Sequence, residues 1–178
     1  MNCNFCPYSN NQISDEKEQK FSAQENTIYI LSGGEPFENK KKLYYFMDNI
    51  AKKSSYFRIA TGGHINIRPH YLRILNTPGF LGFNFGTDVI FRKENYKSRE
   101  IWIDNWYSFT HVKQNWLTIT LSSSVSFMSI VKLLIKTSPK IVMLNEEENG
   151  FSRYDDFICK LKLMFNQIKW IEGYRREI

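Results

Sequence analysis

Five short apolar, β-prone runs recur along this chain, each followed by a stretch with helical spacing. Thr27-Ile28-Tyr29-Ile30-Leu31 is the first, and the others start near residues 57, 81, 117 and 141, so a new run begins every 24 to 36 residues. Leu43, Phe46, Met47 and Ile50 then fall on one face of a helix, as do Phe127, Ile130, Val131 and Leu134. Short apolar strands alternating with amphipathic helices are the pattern of parallel strands covered by helices. Parallel strands place all their C-terminal ends on one rim, where ligands gather in such folds. The turns Ser32–Pro36, Thr61–Gly63 and Gly86–Asp88 each follow a strand and are assigned to that rim.

The remaining assignments follow the same periodicities. Pro69 starts a short helix carrying Leu72 and Leu75, and Gly79 to Phe91 reads as a strand with glycine interruptions. Residues 92–116 are polar yet hold Trp102, Trp106 and Trp116. They read as core filler first and as a stacking surface second. The last helix is placed from about Tyr154 to Trp170, with Cys159 as a core thiol.

Composition narrows the class. The chain has 178 residues, 42% of them hydrophobic and 16% aromatic, which suits one folded domain over residues 1–178 and excludes dominant disorder. No apolar run approaches the roughly 20 residues of a membrane helix. The first residues carry neither the basic flank nor the apolar stretch of a signal peptide. Three cysteines are too few for a disulfide framework, so a cytoplasmic setting and no membrane partner are expected. Lys and Arg exceed Asp and Glu by 24 to 18, a net charge of +6 that favours anionic partners. Lys40-Lys41-Lys42 reads as a solvated helix start. The aromatics and cations of 92–116 match no RNA-module spacing, so nucleic acid is disfavoured. His64, His70 and His111 are each isolated and read as ordinary polar histidines.

Two motifs carry the chemistry. Cys3-Asn4-Phe5-Cys6 spaces two thiols to grip a metal or cluster, or to shuttle a disulfide. Ser32-Gly33-Gly34-Glu35-Pro36 is a strand-to-helix turn in which Gly allows a left-handed backbone and Pro starts the helix. Such a turn also bares its backbone to a charged small molecule and sets a carboxylate beside it.

Taken together these residues resemble the radical S-adenosylmethionine enzymes. Cys3-Asn4-Phe5-Cys6 is similar to the second half of the family's C-x-x-x-C-x-x-C signature, with Phe5 as the aromatic before the last cysteine. Gly33-Gly34-Glu35-Pro36 resembles its GGEP turn, and Thr61-Gly62-Gly63 its Thr-Asn-Gly turn with Gly62 in place of Asn. The resemblance runs from residue 1 to about 91, and only the strand–helix rhythm continues beyond. It implies a partial (β/α)6-type barrel of parallel strands. The first cysteine of the signature and the first strand would precede Met1, so the chain reads as N-terminally incomplete.

The implied activity is reductive cleavage of S-adenosylmethionine at a [4Fe–4S] cluster, giving a 5′-deoxyadenosyl radical that abstracts hydrogen from a substrate, for which a peptide or protein is the first choice. Cys3 and Cys6 would ligate the cluster, and Phe5 would lie near the adenine. Gly33, Gly34 and Glu35 would hold the methionine amino group, and Thr61 and Asp88 would be rim contacts. An acidic flavodoxin or ferredoxin would deliver the electron to the basic chain. The alternatives are a cluster-less scaffold of the same fold and a thiol-redox module, since Cys6-Pro7-Tyr8-Ser9 resembles a monothiol glutaredoxin site.

Overall fold

The structure, a computed structural model, describes residues 21–91, 96–122, 125–146 and 151–175. Its strands are β1 (Ile28–Leu31), β2 (Tyr56–Thr61), β3 (Phe80–Gly86), β4 (Trp116–Leu121), β5 (Ile141–Glu146) and β6 (Lys169–Arg175). Its helices are α1 (Lys40–Lys52), α2 (Tyr71–Leu75), α3 (Asp88–Phe91), α4 (Tyr96–Ser108), α5 (Phe127–Thr137) and α6 (Phe151–Met164). Short 3-10 turns at Pro36–Asn39 and Arg68–His70 lead into α1 and α2.

The six strands form one all-parallel sheet in the order β1-β2-β3-β4-β5-β6. Parallel crossovers are right-handed in nearly all proteins. Strands laid down consecutively with one handedness carry every crossover to the same face. Burial agrees with that geometry. Phe57, Ile59, Phe83, Phe85, Leu117, Ile119, Val142 and Leu144 share one face by register, and all are buried. They meet Met47 and Ile50 of α1, Trp102 and Trp106 of α4, Ile130 and Leu134 of α5, and Leu161 of α6 in a single apolar core. No described helix is long and apolar enough to cross a membrane.

Local rules explain most elements. The Asn39 side chain caps α1 by accepting from the Lys42 amide at 3.1 Å, and Leu43, Met47 and Ile50 bury its apolar stripe. Lys40, Lys41 and Lys42 are exposed, as a solvated helix start requires. Ser126 caps α5, and Ser138 ends it in a left-handed conformation, φ 41°.

Five assignments change. The strand over 79–91 stops at Gly86, and Asp88–Phe91 turns into a helix. Segment 92–116, where periodicity indicates no element, contains a helix, α4, whose Trp102 and Trp106 are buried as the core filler expected of them, together with Asn105. In α2 the buried residue is Ile74, while Leu72 is exposed. The last helix ends at Met164, and Trp170 belongs to a sixth strand. That strand, Lys-Trp-Ile-Glu-Gly-Tyr-Arg, is too charged to stand out as an apolar run, and the helical spacing of Leu161, Phe165 and Ile168 runs on past the true helix end. Cys159 is exposed, because α6 buries Tyr154 and Leu161 instead.

Candidate functional site at the C-terminal rim

The parallel sheet brings the turns after β1, β2 and β3 to one rim, and Glu35 joins the first two. Gly33 and Gly34 adopt φ of 101° and 67°, a region that favours glycine. A Cβ on either would meet no atom within 4 Å, so the turn faces open space. Glu35 is turned the other way and is buried. Its carboxylate accepts from Thr61 Oγ1 at 2.8 and 3.0 Å, from the Gly62 amide at 2.9 Å and from the Phe37 amide at 3.4 Å. His64 Nδ1 stands 3.6 Å from Oε2. Burial pushes the Glu35 carboxyl above its usual range, against the pull of Thr61, His64 and the two amides.

The β2 turn is held from beneath. Gly63, at φ 70°, lies so close to Trp102 that a Cβ would fall 2.5 Å from the indole Cδ1. Trp102 Nε1 donates to the Gly86 carbonyl at 2.7 Å, fixing α4 to the end of β3. The Asn105 amide donates to Gly63 O at 2.9 Å and Ile65 O at 2.6 Å, and its oxygen accepts from the Ile67 amide at 3.0 Å. Thr87 carries the lacing on to β4, donating its amide and hydroxyl to Thr118 O at 3.0 and 3.1 Å. These bonds lace the turns after β2 and β3 together, while the backbone at Gly33–Gly34 lies open.

The sheet face opposite the helices has a different character. Register places Ile28, Ile30, Arg58, Asn84, Trp116, Thr118, Thr120, Met143 and Asn145 on it. Arg58 is buried; its Nε donates to Asn84 Oδ1 at 2.7 Å, and Nη2 donates to Phe83 O at 3.3 Å and to Gln114 O. Its guanidinium carbon lies 3.9 Å from the Trp116 ring centroid. Burial lowers the Arg58 pKa to about 10, so the group stays charged at neutral pH. Thr118 Oγ1 and Asn145 Oδ1 are buried on this face with no hydrogen-bond partner. Buried polar atoms are normally satisfied, so these two orphans stand out.

Of the expected site residues, the structure brings Gly33, Gly34, Glu35 and Thr61 together. Asp88 opens α3 after β3, on the same rim. Cys3, Phe5 and Cys6 lie outside the described residues. Among the described residues no group of three or more His, Cys, Asp or Glu could hold a metal. His70 and His111 contact tyrosines, His70 Nδ1 at 2.5 Å from Tyr44 Oη and His111 Nε2 at 3.2 Å from Tyr71 Oη.

Sequence reasoning missed the bracing pair Trp102 and Asn105, and the polar face around Arg58. A signal for the second was present. Leu117-Thr118-Ile119-Thr120-Leu121 alternates strictly, whereas a parallel strand buried on both faces reads as a continuous apolar run. No protein-family model, curated protein or solved structure matches the chain.

Proposed function

We propose that this chain is a radical S-adenosylmethionine enzyme domain with the form of a partial (β/α)6-type barrel, acting on a peptide or protein. The observation that carries the reading is the Gly33-Gly34 turn, left-handed and open, tied through Glu35 to the Thr61-Gly62 turn. The fit to the cofactor rests on two features. The glycines leave space where the methionine end would approach backbone, and the orphaned oxygens of Thr118 and Asn145 face the side of the sheet no described helix covers. Consecutive strand order with a one-sided core also suits a sheet curved around that face.

When bound, the cluster and S-adenosylmethionine would supply a carbon radical able to abstract hydrogen from the substrate. Cys3 and Cys6 would hold two irons, leaving a further thiolate to be supplied from elsewhere, since Cys159 is exposed on α6. Phe5 would lie against the adenine. Glu35 would place its carboxyl group beneath the methionine ammonium, and Thr61 would keep that group in place. Asp88 would reach the cofactor's ribose from the neighbouring turn. A flavodoxin or ferredoxin of acidic surface would bring the electron.

Anaerobic reconstitution with iron and sulfide, followed by dithionite and S-adenosylmethionine, tests the reading. Formation of 5′-deoxyadenosine that disappears in Cys3→Ala and Cys6→Ala is the expected result. If iron incorporation is the same in both variants and no 5′-deoxyadenosine forms under any condition, the reading fails. The second reading, a cluster-less scaffold, is favoured by the fact that Glu35 already has three hydrogen-bond donors of its own, Thr61 Oγ1 and the Gly62 and Phe37 amides; it expects the same fold with no iron at all.

A further inference from the structure

The turn after β2 carries a histidine that the fold holds in place without giving its inner nitrogen a hydrogen bond. Asn105 of α4, fully buried, donates its side-chain amide to Gly63 O and Ile65 O, the carbonyls on either side of His64, and accepts from the Ile67 amide. The backbone around His64 is therefore pinned from beneath. Its imidazole lies over Gly62, where a Cβ would fall 3.1 Å from His64 Nδ1 and 3.5 Å from Glu35 Oε2. The absence of a side chain at 62 lets the ring come close to the Glu35 carboxyl.

An ionised carboxylate offers about four acceptor positions. Glu35 has three donors: the Thr61 hydroxyl and the Gly62 and Phe37 amides. The Thr61 hydroxyl proton goes to Glu35, because its oxygen already accepts from the Gly63 amide at 2.9 Å. His64 Nδ1 stands 3.6 Å from Oε2, slightly longer than a hydrogen bond and too close for a water on the line between them. That nitrogen is buried without a partner, while the side chain as a whole keeps 16% of its surface exposed. A proton on Nδ1 is what would close the contact. Burial works against a charge on Glu35, and His64 is the titratable group whose charge acts in its favour. Glu38 and Lys40, beyond Glu35 in the chain, are exposed; His70 stacks on Phe37 and contacts Tyr44; and Asp88, on the same rim, has a partner of its own.

We propose that His64 is a positioning residue of the rim site: its Nδ1–H donates a fourth hydrogen bond to Glu35 and holds that carboxyl charged for the ammonium group of a ligand on the Gly33–Gly34 turn. The ligand half of this statement rests on the cofactor reading above, and the link between His64 and Glu35 does not. Asn105 then has a role beyond packing, since it fixes the backbone from which the imidazole reaches the carboxyl.

Carbon NMR of the Glu35 carboxyl, in the full chain without ligand, reads the link directly. The variant is His64→Phe, which keeps a ring over Gly62 and removes both nitrogens, with thermal melting as the check on its fold. The Glu35 titration midpoint moves up in His64→Phe, because a donor and a favourable charge are lost while burial stays. Gly62→Ala keeps the imidazole but pushes it from the carboxyl, and moves the midpoint the same way; should His64→Phe fail to fold, Gly62→Ala decides alone. An unchanged midpoint, which a purely structural histidine would give, overturns the proposal. S-adenosylmethionine is the ligand probe, titrated into the protein reconstituted with iron and sulfide. His64→Phe binds it about tenfold more weakly at about pH 6, the loss of one charge-assisted contact. The deficit narrows toward about pH 8, where the carboxyl ionises without help. A deficit equal at both pH values, or none, overturns the assignment. If the wild-type protein binds no S-adenosylmethionine, the cofactor reading fails, and the carboxyl titration alone upholds or overturns the role of His64.

Discussion

The two faces of one sheet, built from alternate residues of the same strands, have opposite compositions. On the helix side Phe57, Ile59, Phe83, Phe85, Leu117, Ile119, Val142 and Leu144 are apolar and buried, and aromatic rings interlock across it: Phe83 with Phe109 at 4.7 Å, Phe85 with Trp106 at 5.4 Å. On the other side Ile28 and Ile30 are more than half exposed, while the centre holds a charged Arg58, the Asn84 amide that accepts from it, and the unpaired oxygens of Thr118 and Asn145. The first face is what stability requires, because apolar burial drives folding. The second contributes little to it. A buried cation and orphaned oxygens cost free energy, so their presence in the middle of a sheet argues for a ligand-facing surface.

The contrast can be broken most directly on the helix side. Trp102→Ala removes the largest fully buried side chain, the support beneath Gly63 and the hydrogen bond to Gly86. It should cost about 3–5 kcal/mol in urea unfolding. A loss below about 1 kcal/mol would mean that α4 is not part of the core.

Arg58→Met tests the opposite face at its most organised point. The substitution leaves Asn84 Oδ1 and the carbonyls of Phe83 and Gln114 without their donor. A loss of about 1–3 kcal/mol is expected, the cost of stranded acceptors. Adding Asn84→Leu should recover part of it, because the most demanding stranded group is then gone. A double variant as unstable as the sum of the singles would show that Arg58 and Asn84 are not coupled.

Glu35 gives a pH-dependent test at the rim. Its carboxyl is raised by burial, so folding favours the protonated form. That contribution is fully present below the ordinary carboxyl value of 4.5 and is lost as pH rises through the higher folded value. Wild type should therefore gain stability relative to Glu35→Gln between pH 7 and pH 4.5. A difference that stays flat across that range, measured by denaturant titration at both ends, would place Glu35 in a better solvated setting.

The smallest effect is expected at Thr118. Its Oγ1 has no partner, so Thr118→Val removes an unsatisfied group at nearly constant volume and should change stability by no more than about 0.5 kcal/mol in either direction. The same change should weaken S-adenosylmethionine binding if the uncovered face receives the cofactor. A large loss of stability with unchanged ligand binding would turn Thr118 into an ordinary structural residue.

The amino-acid sequence alone determined the parallel α/β plan and the position of the Gly33–Gly34 turn. Those depend on short-range signals: apolar runs of strand length, helical spacing at Leu43, Met47 and Ile50, and a Gly-Gly-Glu-Pro turn that needs left-handed backbone. Tertiary structure decided the rest. Only strand pairing shows that Glu35 spans 26 residues to reach Thr61, that Trp102 supports a turn from a helix periodicity did not reveal, and that Lys169–Arg175 is a strand. The physical reason is the same in each case. A buried carboxylate, an indole under a glycine and a charged edge strand are defined by partners distant in sequence, and those partners meet only when the consecutive parallel strands have paired and the helices have packed on the sheet.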